Sequence, residues 1–346
     1  MKKKLIIFIS TLVGIFILNL IIGVIIYNCI FGFRCESKTY LMPTIEEYPN
    51  IEAERHEFIT LKNKKLVGYL YSNSVVEEKG VVVFAHGFGG GGQIGYLDIY
   101  NYLTSNGYYV FAYDATGNDE SEGRGVNGFP QGIIDLEHAI KYTKTISGVG
   151  ELPMMLMGFS WGAFSVSNVL NFYSDVEAVV ALSGFNESTD MIEYHSFKYV
   201  WHVVTVTLPF AKLLEKTKFG KYAGTSAIDG FANTDAKIMI VHSEDDPTVP
   251  IKYGYDKYYE VYGNDERFIF KHYDDKDHSN IYKSREWIEY YDEFMDNVGE
   301  YEENNPNATN QMVIDYINQN LDREKLIDRL DYELMDEIVD LFNSCL

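Results

Sequence analysis

The chain has 346 residues, of which 46% are hydrophobic and 23% charged, so it is long enough for one large globular domain and is not disordered. Its formal net charge of −22 argues against nucleic-acid binding, because proteins that bind phosphates need a basic face. The three cysteines, Cys29, Cys35 and Cys345, assemble no metal or redox motif, although a disulfide between Cys35 and Cys345 is conceivable in an oxidising compartment.

The N-terminus carries the clearest compositional feature. Three lysines at positions 2–4 precede a run without charged residues over 5–33, longer than the roughly 20 apolar residues that span a bilayer. The run has no A-x-A-like cleavage site and is apolar on all faces, which argues against a cleaved signal peptide and a buried soluble helix. The lysines favour a cytoplasmic N-terminus, although Arg34 and Lys38 weaken this bias. We therefore expect residues 1–35 to be a single-pass signal anchor, with the following domain outside the cytoplasm.

The middle of the chain alternates predicted strands and helices. Residues 36–54, with two prolines, are expected to form an extended tether, and an antiparallel hairpin follows over 55–71. Continuous apolar runs predict strands that are covered on both faces, at 81–85, 109–113, 154–157, 178–182 and 237–241. Helices are expected at 96–105, at 133–145 and after residue 160. This alternation predicts an α/β domain over 55–300, with a mostly parallel sheet and helices on both faces.

Two segments depart from this alternation. Residues 184–233 contain no clear strand but many aromatic side chains, and we expect a small helical cap there, with ordinary helical packing as the alternative. The aromatic residues in this segment include Tyr194, Phe197, Tyr199, Trp201, Phe210 and Phe219. In 301–346, apolar residues recur at helical spacing among many acids, which predicts amphipathic helices that dock on the domain or on an unknown partner. A solvated acidic appendage is the preferred interpretation of this tail.

A single serine stands between two glycines directly after the predicted strand at 154–157. A nucleophile on a sharp strand-to-helix turn needs neighbours without a Cβ, which Gly158 and Gly162 provide around Ser160. A glycine-rich turn without catalytic function is the alternative. The serine hydroxyl needs a base to become nucleophilic at neutral pH, so its partners must be found elsewhere in the chain.

Candidate partners follow two later predicted strands. His278 is the candidate base, and Asp246 is the candidate carboxylate that orients it, with Glu244 and Asp245 competing for that role. The order serine, aspartate, histidine is the one found in α/β-hydrolases. The expected oxyanion donors are the backbone N–H groups of Phe88, in the glycine-rich loop after the first buried strand, and Trp161.

These motifs together resemble the α/β-hydrolase superfamily, in particular its serine aminopeptidase-like and monoacylglycerol-lipase-like branch. Residues 86–89 resemble the HGxG oxyanion loop, residues 158–162 the nucleophile elbow and residues 114–123 the DxRGxGxSxG motif. Residues 243–250 resemble the GxxDxxVP acid loop, which aligns Asp246 with the family's acid. The resemblance covers roughly 55–298. It implies an α/β-hydrolase fold and does not extend to the anchor or the tail.

The sequence also departs from the family pattern. Thr116 stands where the family has arginine, and the family's glycine is replaced at Asp119, Ser243 and Asp277. None of these changes removes a member of the predicted triad, but the loop around Asp114 is expected to differ in shape. His86 is expected to hold the oxyanion loop, as in the family. Four further histidines lack the spacing of metal ligands and predict no metal site: His195, His202, His242 and His272.

The sequence therefore predicts a membrane-anchored serine hydrolase that cleaves carboxylic esters through an acyl-enzyme on Ser160, without a cofactor or metal. The expected substrate is a small-molecule ester, a lipid or a peptide. A lipase and a peptidase that releases N-terminal residues are alternatives, and the peptidase needs a cap carboxylate such as Glu187, Asp190 or Glu193 to hold the substrate amine. A non-catalytic hydrolase-fold scaffold is the alternative from a different class.

Overall fold

The computed structural model describes the backbone of residues 2–200 and 203–346, and the side chains of 3–195 and 208–346. The side chains of Phe197, Tyr199, Trp201 and His202 lie outside this set. In the described residues, eight strands form one sheet with the order β1-β2-β4-β3-β5-β6-β7-β8. The strands are β1 (Ile51–Ile59), β2 (Lys65–Asn73), β3 (Gly80–Ala85), β4 (Tyr108–Tyr113), β5 (Met154–Phe159), β6 (Ala178–Leu182), β7 (Lys237–Ser243) and β8 (Phe268–Tyr273).

The sheet is mostly parallel. β1 pairs antiparallel with β2, and β2 pairs antiparallel with β4, so the N-terminal hairpin forms one edge. All later pairings, from β4–β3 to β7–β8, are parallel. This confirms the predicted α/β-hydrolase architecture, and it places the carboxyl ends of β3, β5, β6, β7 and β8 along the same side of the sheet.

Helices cover both faces of the sheet. They are α1 (Lys2–Phe31), α2 (Leu97–Ser105), α3 (Pro130–Thr143), α4 (Trp161–Val169), α5 (Ser188–Val200), α6 (Val203–Phe219), α7 (Ala227–Phe231), α8 (Tyr255–Tyr262), α9 (Arg285–Asn304), α10 (Asn310–Asn320), α11 (Arg323–Ile327) and α12 (Tyr332–Asn343). Alternation along β3 sends Val83 into a core shared with α3 and α4, and Val82 into a core shared with α2 and α12. α3 begins three residues earlier than predicted because Pro130 suits the first helical turn, where no N–H partner is required.

The N-terminal helix α1 has two different parts. Within the described chain, Lys3–Phe31 is a helix long and apolar enough to cross a membrane, and an 18-residue window within it has a mean hydropathy of 2.8. Its first part is exposed, as at Phe8 and Ile17, whereas Tyr27 and Phe31 near its end are buried in the core that contains α3 and α4. Further back, Phe16 contacts Phe210 of α6, with ring centroids 5.0 Å apart. The end of α1 is therefore part of the globular domain.

The segment 36–54 is not the extended tether that the prolines predict. It contains short 3₁₀ turns at Thr39–Leu41 and Ile45–Glu47, and β1 begins within it. Arg323 of α11 donates to the Glu47 carboxylate at 2.8 Å and to the Met42 carbonyl at 3.1 Å. Tyr48 is buried. These contacts fold the segment onto the domain.

The C-terminal residues 301–346 are not a solvated appendage, so the preferred interpretation of this tail is wrong. Part of the tail packs into the core of the domain. Leu334, Ile338 and Phe342 of α12 are fully buried against the sheet, beside α2. Just before α12, Arg329 donates to both oxygens of the buried Asp98 carboxylate, at 2.6 and 3.1 Å. The apolar face of α12 thus completes the core while its acids face outward. The boundary predicted at residue 300 also falls inside α9.

The cysteines remain free thiols, so the conceivable disulfide does not form. Cys35 is buried in the core on the α3 and α4 face of the sheet, whereas Cys345 packs against the core on the α2 and α12 face. The sheet therefore separates the two side chains.

Candidate active site

Ser160 occupies the sharp turn between β5 and α4. Its backbone has φ 55° and ψ −113°, a conformation that side-chain-bearing residues rarely adopt. A Cβ on Gly158 would lie 2.4 Å from the Gly162 carbonyl carbon, and one on Gly162 would lie 1.8 Å from the Ala85 oxygen. The turn therefore requires both glycines, as the sequence predicts, and it presents the Ser160 hydroxyl at the end of β5.

Three side chains from separate strand ends meet at this turn. The Ser160 Oγ lies 2.8 Å from the His278 Nε2, and the His278 Nδ1 lies 2.6 Å from the Asp246 Oδ2. Asp246 follows β7 and His278 follows β8, so the parallel sheet brings them together across a long separation in sequence. All three residues are buried, with exposed fractions of 8%, 4% and 8% for Ser160, Asp246 and His278. The predicted triad residues are thus joined by a continuous chain of hydrogen-bond contacts.

The surroundings of Asp246 keep it ionised. Burial alone would raise its pKa, but hydrogen bonds from His242 and His278 outweigh this and hold the pKa well below its usual range. Its Oδ1 also accepts the backbone N–H groups of Thr248 and Val249, each at 2.8 Å. A carboxylate held in this way can stabilise a positive charge on His278.

The competing acids have different partners. Asp245 accepts a hydrogen bond from the Ser243 hydroxyl at 2.6 Å and one from the Asp277 backbone N–H at 2.9 Å. It therefore ties the loop after β7 to the loop that carries His278. The Glu244 side chain is more than half exposed and lies 3.5 Å from His272. Geometry thus pairs Asp246, and neither neighbour, with His278.

His242 is a site residue that sequence reasoning missed. Its side chain is fully buried, and its Nε2 lies 2.8 Å from the Val249 carbonyl oxygen and 3.4 Å from the Asp246 Oδ2. A carbonyl oxygen can only accept, so Nε2 carries the proton and points it at the acid loop. Its position four residues before Asp246 is the available signal, but from the sequence His242 is only excluded as a metal ligand.

The predicted oxyanion donors border the same cavity as the triad. A cavity of about 350 Å³ is lined by Ser160 and His278 together with Phe88 and Trp161. Within the described part of the chain, the backbone N–H groups of Phe88 and Trp161 donate no hydrogen bond. Two N–H groups without a partner among the described residues, beside the candidate nucleophile, match the requirement for binding a developing negative charge.

Comparison with known proteins places the chain in a family. The family model described as serine aminopeptidase, S33, matches residues 76–258, which is more than half of the chain. The chain belongs to the serine aminopeptidase S33 family. It is also similar to the lysophosphatidylserine lipase ABHD12 of Macaca fascicularis and of Mus musculus, at 25% identity over 195 residues. The match covers 53% of this chain and 46% of each relative, so it spans about half the length of those curated proteins.

Solved structures share the α/β-hydrolase fold of this S33 family member. The Pyrococcus furiosus esterase Pf2001 has a TM-score of 0.53 and 20% identity, covering 75% of this chain and 93% of the esterase. The Pyrococcus horikoshii acylaminoacyl peptidase has a TM-score of 0.53 and 17% identity, covering 68% of this chain and 39% of the peptidase. At these identities, the likeness concerns the fold alone.

His86, in the candidate oxyanion loop, holds two loops together. Its Nε2 accepts the Ala115 backbone N–H at 2.9 Å, so its Nδ1 carries the proton and donates to the Gly87 carbonyl at 2.7 Å. Burial lowers the pKa of His86, which keeps the ring neutral. Both ring nitrogens are therefore occupied in joining the oxyanion loop to the loop after β4.

Asp119, one of the departures from the family pattern, links the end of the glycine-rich loop after β3 to the segment after α1. Its carboxylate accepts the Gly92 N–H at 2.8 Å and the Ser37 N–H at 2.7 Å. Nearby, Asp114 accepts the Gln93 N–H at 2.9 Å, and burial raises the pKa of Asp114 to about 7. The altered loop therefore ties the segment after α1 to the candidate site.

The predicted cap carboxylates lie elsewhere. Among the described residues that line the Ser160 cavity there is no acid. Asp190 is paired with Lys257 at 2.7 Å, and Glu187 lies 3.3 Å from the Thr189 hydroxyl. Glu193 does not line the cavity either. His195 does line it, whereas His272 lies at the surface near Glu244 and Asp274, with ligand atoms within 4.8 Å of one another.

Proposed function

We propose that this chain is a serine hydrolase that cleaves carboxylic esters through an acyl-enzyme on Ser160. The observation that carries the proposal is the hydrogen-bonded chain Ser160–His278–Asp246 at the edge of a cavity. In the first step, His278 takes the hydroxyl proton at Nε2 while the Ser160 Oγ attacks the ester carbonyl. The Asp246 carboxylate holds the Nδ1 proton and stabilises the resulting imidazolium.

The remaining steps are stabilisation of the oxyanion, departure of the alcohol and hydrolysis of the acyl-enzyme. The carbonyl oxygen becomes negatively charged between the N–H groups of Phe88 and Trp161. Collapse of this intermediate expels the alcohol, which receives the proton from His278. A water molecule then gives a proton to His278 and attacks the acyl-enzyme, which releases the carboxylic acid and restores Ser160. The proposed machinery consists of side chains and backbone groups of this chain.

Membrane anchoring is a second part of the proposal. The apolar helix α1 and the lysines before it support a single-pass anchor with the hydrolase domain outside the cytoplasm. We retain an anchor at 1–35 and a hydrolase domain that begins near residue 51, where β1 starts. The cap is assigned to 184–233, and the acidic helices after residue 300 are assigned to the same folded unit.

Among the alternatives, a lipase is favoured over an aminopeptidase. The curated relatives are named as lysophosphatidylserine lipases, which supports a lipid ester as substrate. An aminopeptidase needs a carboxylate for the substrate amine, and the described lining of the Ser160 cavity offers none. Faster turnover of aminoacyl amides than of esters would reverse this preference.

The test uses the purified full-length protein in detergent and its Ser160→Ala variant. We expect the wild type to react with a fluorophosphonate probe and to hydrolyse p-nitrophenyl acetate, and the variant to lose about 10⁴-fold or more in kcat/KM. Equal hydrolysis by both proteins contradicts the assignment of Ser160. A wild type that neither labels nor hydrolyses esters supports the non-catalytic scaffold instead.

A further inference from the structure

A second cavity lies against the Ser160 cavity. It measures about 450 Å³, and its described lining comes from the C-terminal end of α1, from α5 and from the loops near the site. The α1 side is formed by apolar residues such as Ile26 and Ile30, and the α5 side by residues such as Ile192. The N-terminal helix, which the hydrolysis mechanism does not use, therefore forms one wall of a cavity.

The two cavities share part of their lining. Phe88, Phe129 and Met191 border both, and so do His195 and Thr248. Phe88 also belongs to the proposed oxyanion loop, so the shared wall stands directly beside the reacting carbonyl. The second cavity is therefore the adjoining space toward which a substituent of an ester bound at Ser160 would extend.

The side chains that line the second cavity determine which ester substituent it can bind. The residues that line it but not the Ser160 cavity are Ile25, Ile26, Cys29, Ile30, Phe31 and Ile192. None of them carries a charge or a strong hydrogen-bonding side chain, so they favour a hydrocarbon chain. Ile25 and Cys29 are exposed, so this wall is continuous with the outer surface of α1.

We propose that this cavity binds the acyl chain of a membrane lipid ester, with α1 as both the membrane anchor and one side of the acyl-chain site. The inference rests on the proposed function and adds the substrate class to it. The cavity lies at the end of α1 that faces the hydrolase domain, where a helix inserted from the cytoplasmic side leaves the bilayer. A single acyl chain therefore passes from the membrane along α1 toward Ser160.

The proposal predicts a dependence on chain length. Each methylene buried in the cavity should raise kcat/KM by about fourfold until the cavity is filled. An acetyl ester reaches Ser160 without filling the second cavity, so it reports on the triad alone. The ratio of kcat/KM for p-nitrophenyl dodecanoate to that for p-nitrophenyl acetate therefore measures the contribution of the acyl-chain site.

The test compares this ratio in the full-length protein at a fixed detergent concentration. Cys29→Trp places an indole in the cavity from α1, and Ile192→Trp does so from α5. Ile21→Trp is the matched control, because Ile21 is half exposed on the same helix and does not line the cavity. We expect each cavity variant to lower the ratio by about tenfold or more, and the control to leave it unchanged.

The outcomes separate this proposal from the one on which it rests. Either of two results overturns the acyl-chain site while the serine hydrolase stands. One is a ratio near one in the wild type, and the other is an equal ratio in Cys29→Trp, Ile192→Trp and Ile21→Trp. Fluorophosphonate labelling of each variant verifies that Ser160 remains folded and reactive. A wild type that fails to label and cleaves neither ester overturns the proposed function, and the acyl-chain site with it.

Discussion

Ser160 combines its proposed role as the nucleophile with an unfavourable backbone conformation. At φ 55° its Cβ crowds the adjacent peptide groups, and such residues store about 1–3 kcal/mol of strain. The strain persists because the neighbouring glycines and the sheet fix the turn. The position therefore offers a way to separate stability from catalysis with two variants that both lack the hydroxyl.

We expect Ser160→Gly to have a free energy of unfolding about 1 kcal/mol higher than that of Ser160→Ala, because glycine relieves the positive φ. The greater freedom of glycine in the unfolded chain offsets only part of this gain. Urea unfolding followed by tryptophan fluorescence measures the difference, and both variants should be inactive. An alanine variant as stable as the glycine variant would contradict the strained turn.

His242 gives a second prediction at the level of one residue. In His242→Leu, the Val249 carbonyl loses its partner and Asp246 loses a nearby N–H group, so the acid loop is held less firmly. We expect kcat to fall by about tenfold with little change in KM, and stability to fall by about 1–3 kcal/mol. His242→Gln, which keeps an N–H donor, should recover part of both. Unchanged kcat in His242→Leu would show that His242 does not position Asp246.

At the scale of elements, Glu215 joins three helices. This residue of α6 accepts a hydrogen bond from the Ser188 hydroxyl of α5 at 2.7 Å and one from the Tyr27 hydroxyl of α1 at 3.3 Å. Burial raises its pKa to about 7, and these hydrogen bonds together with the charge of Lys218 only partly oppose the rise. Helices α5 and α6 and the N-terminal helix therefore meet at a carboxyl group that is protonated at mildly acidic pH.

The raised pKa of Glu215 gives a stability prediction with a defined sign. The folded state keeps a proton that the unfolded chain releases near pH 4.5, so this contribution is complete below pH 4.5 and is lost as pH rises to about 7. Glu215→Gln cannot ionise and should be more stable than the wild type by about 3 kcal/mol at pH 8. Unfolding in detergent at pH 5 and pH 8 measures this difference. A difference that does not grow with pH would contradict the prediction.

Local sequence patterns are sufficient to predict the buried strands and the turn at Ser160. Continuous apolar runs such as 81–85 identify buried strands, and the glycines around Ser160 identify the turn, because both features depend on local chemistry. The helical spacing in 332–343 predicts a helix but not the surface that its apolar face contacts. The contacts of Asp119 escape prediction for the same reason, since Ser37 and Gly92 lie on other segments. The partners of His242 are close in sequence, but only the fold of the loop after β7 brings them to its ring.

At the scale of the whole molecule, the N-terminal helix α1 joins an exposed apolar segment to the core of the domain that carries the candidate site. A run that is apolar on all faces has no periodicity to mark a buried face, so the sequence could not predict that Tyr27 and Phe31 enter the core. The Asp119 carboxylate extends the connection from the segment after α1 to the end of the glycine-rich loop after β3. Helix α1 is therefore a structural part of the domain that carries the candidate site.

Substitution along α1 tests this connection. Phe31 is 1% exposed and contacts Phe129 and Phe88, with ring centroids 4.9 and 5.7 Å apart, so Phe31→Ala removes packing from the core below the site. We expect it to lower the free energy of unfolding in detergent by about 3–5 kcal/mol. Phe8→Ala is the control, because Phe8 is 60% exposed on the same helix and should change stability by less than about 0.5 kcal/mol. Equal effects of the two substitutions would mean that α1 is only an appended anchor.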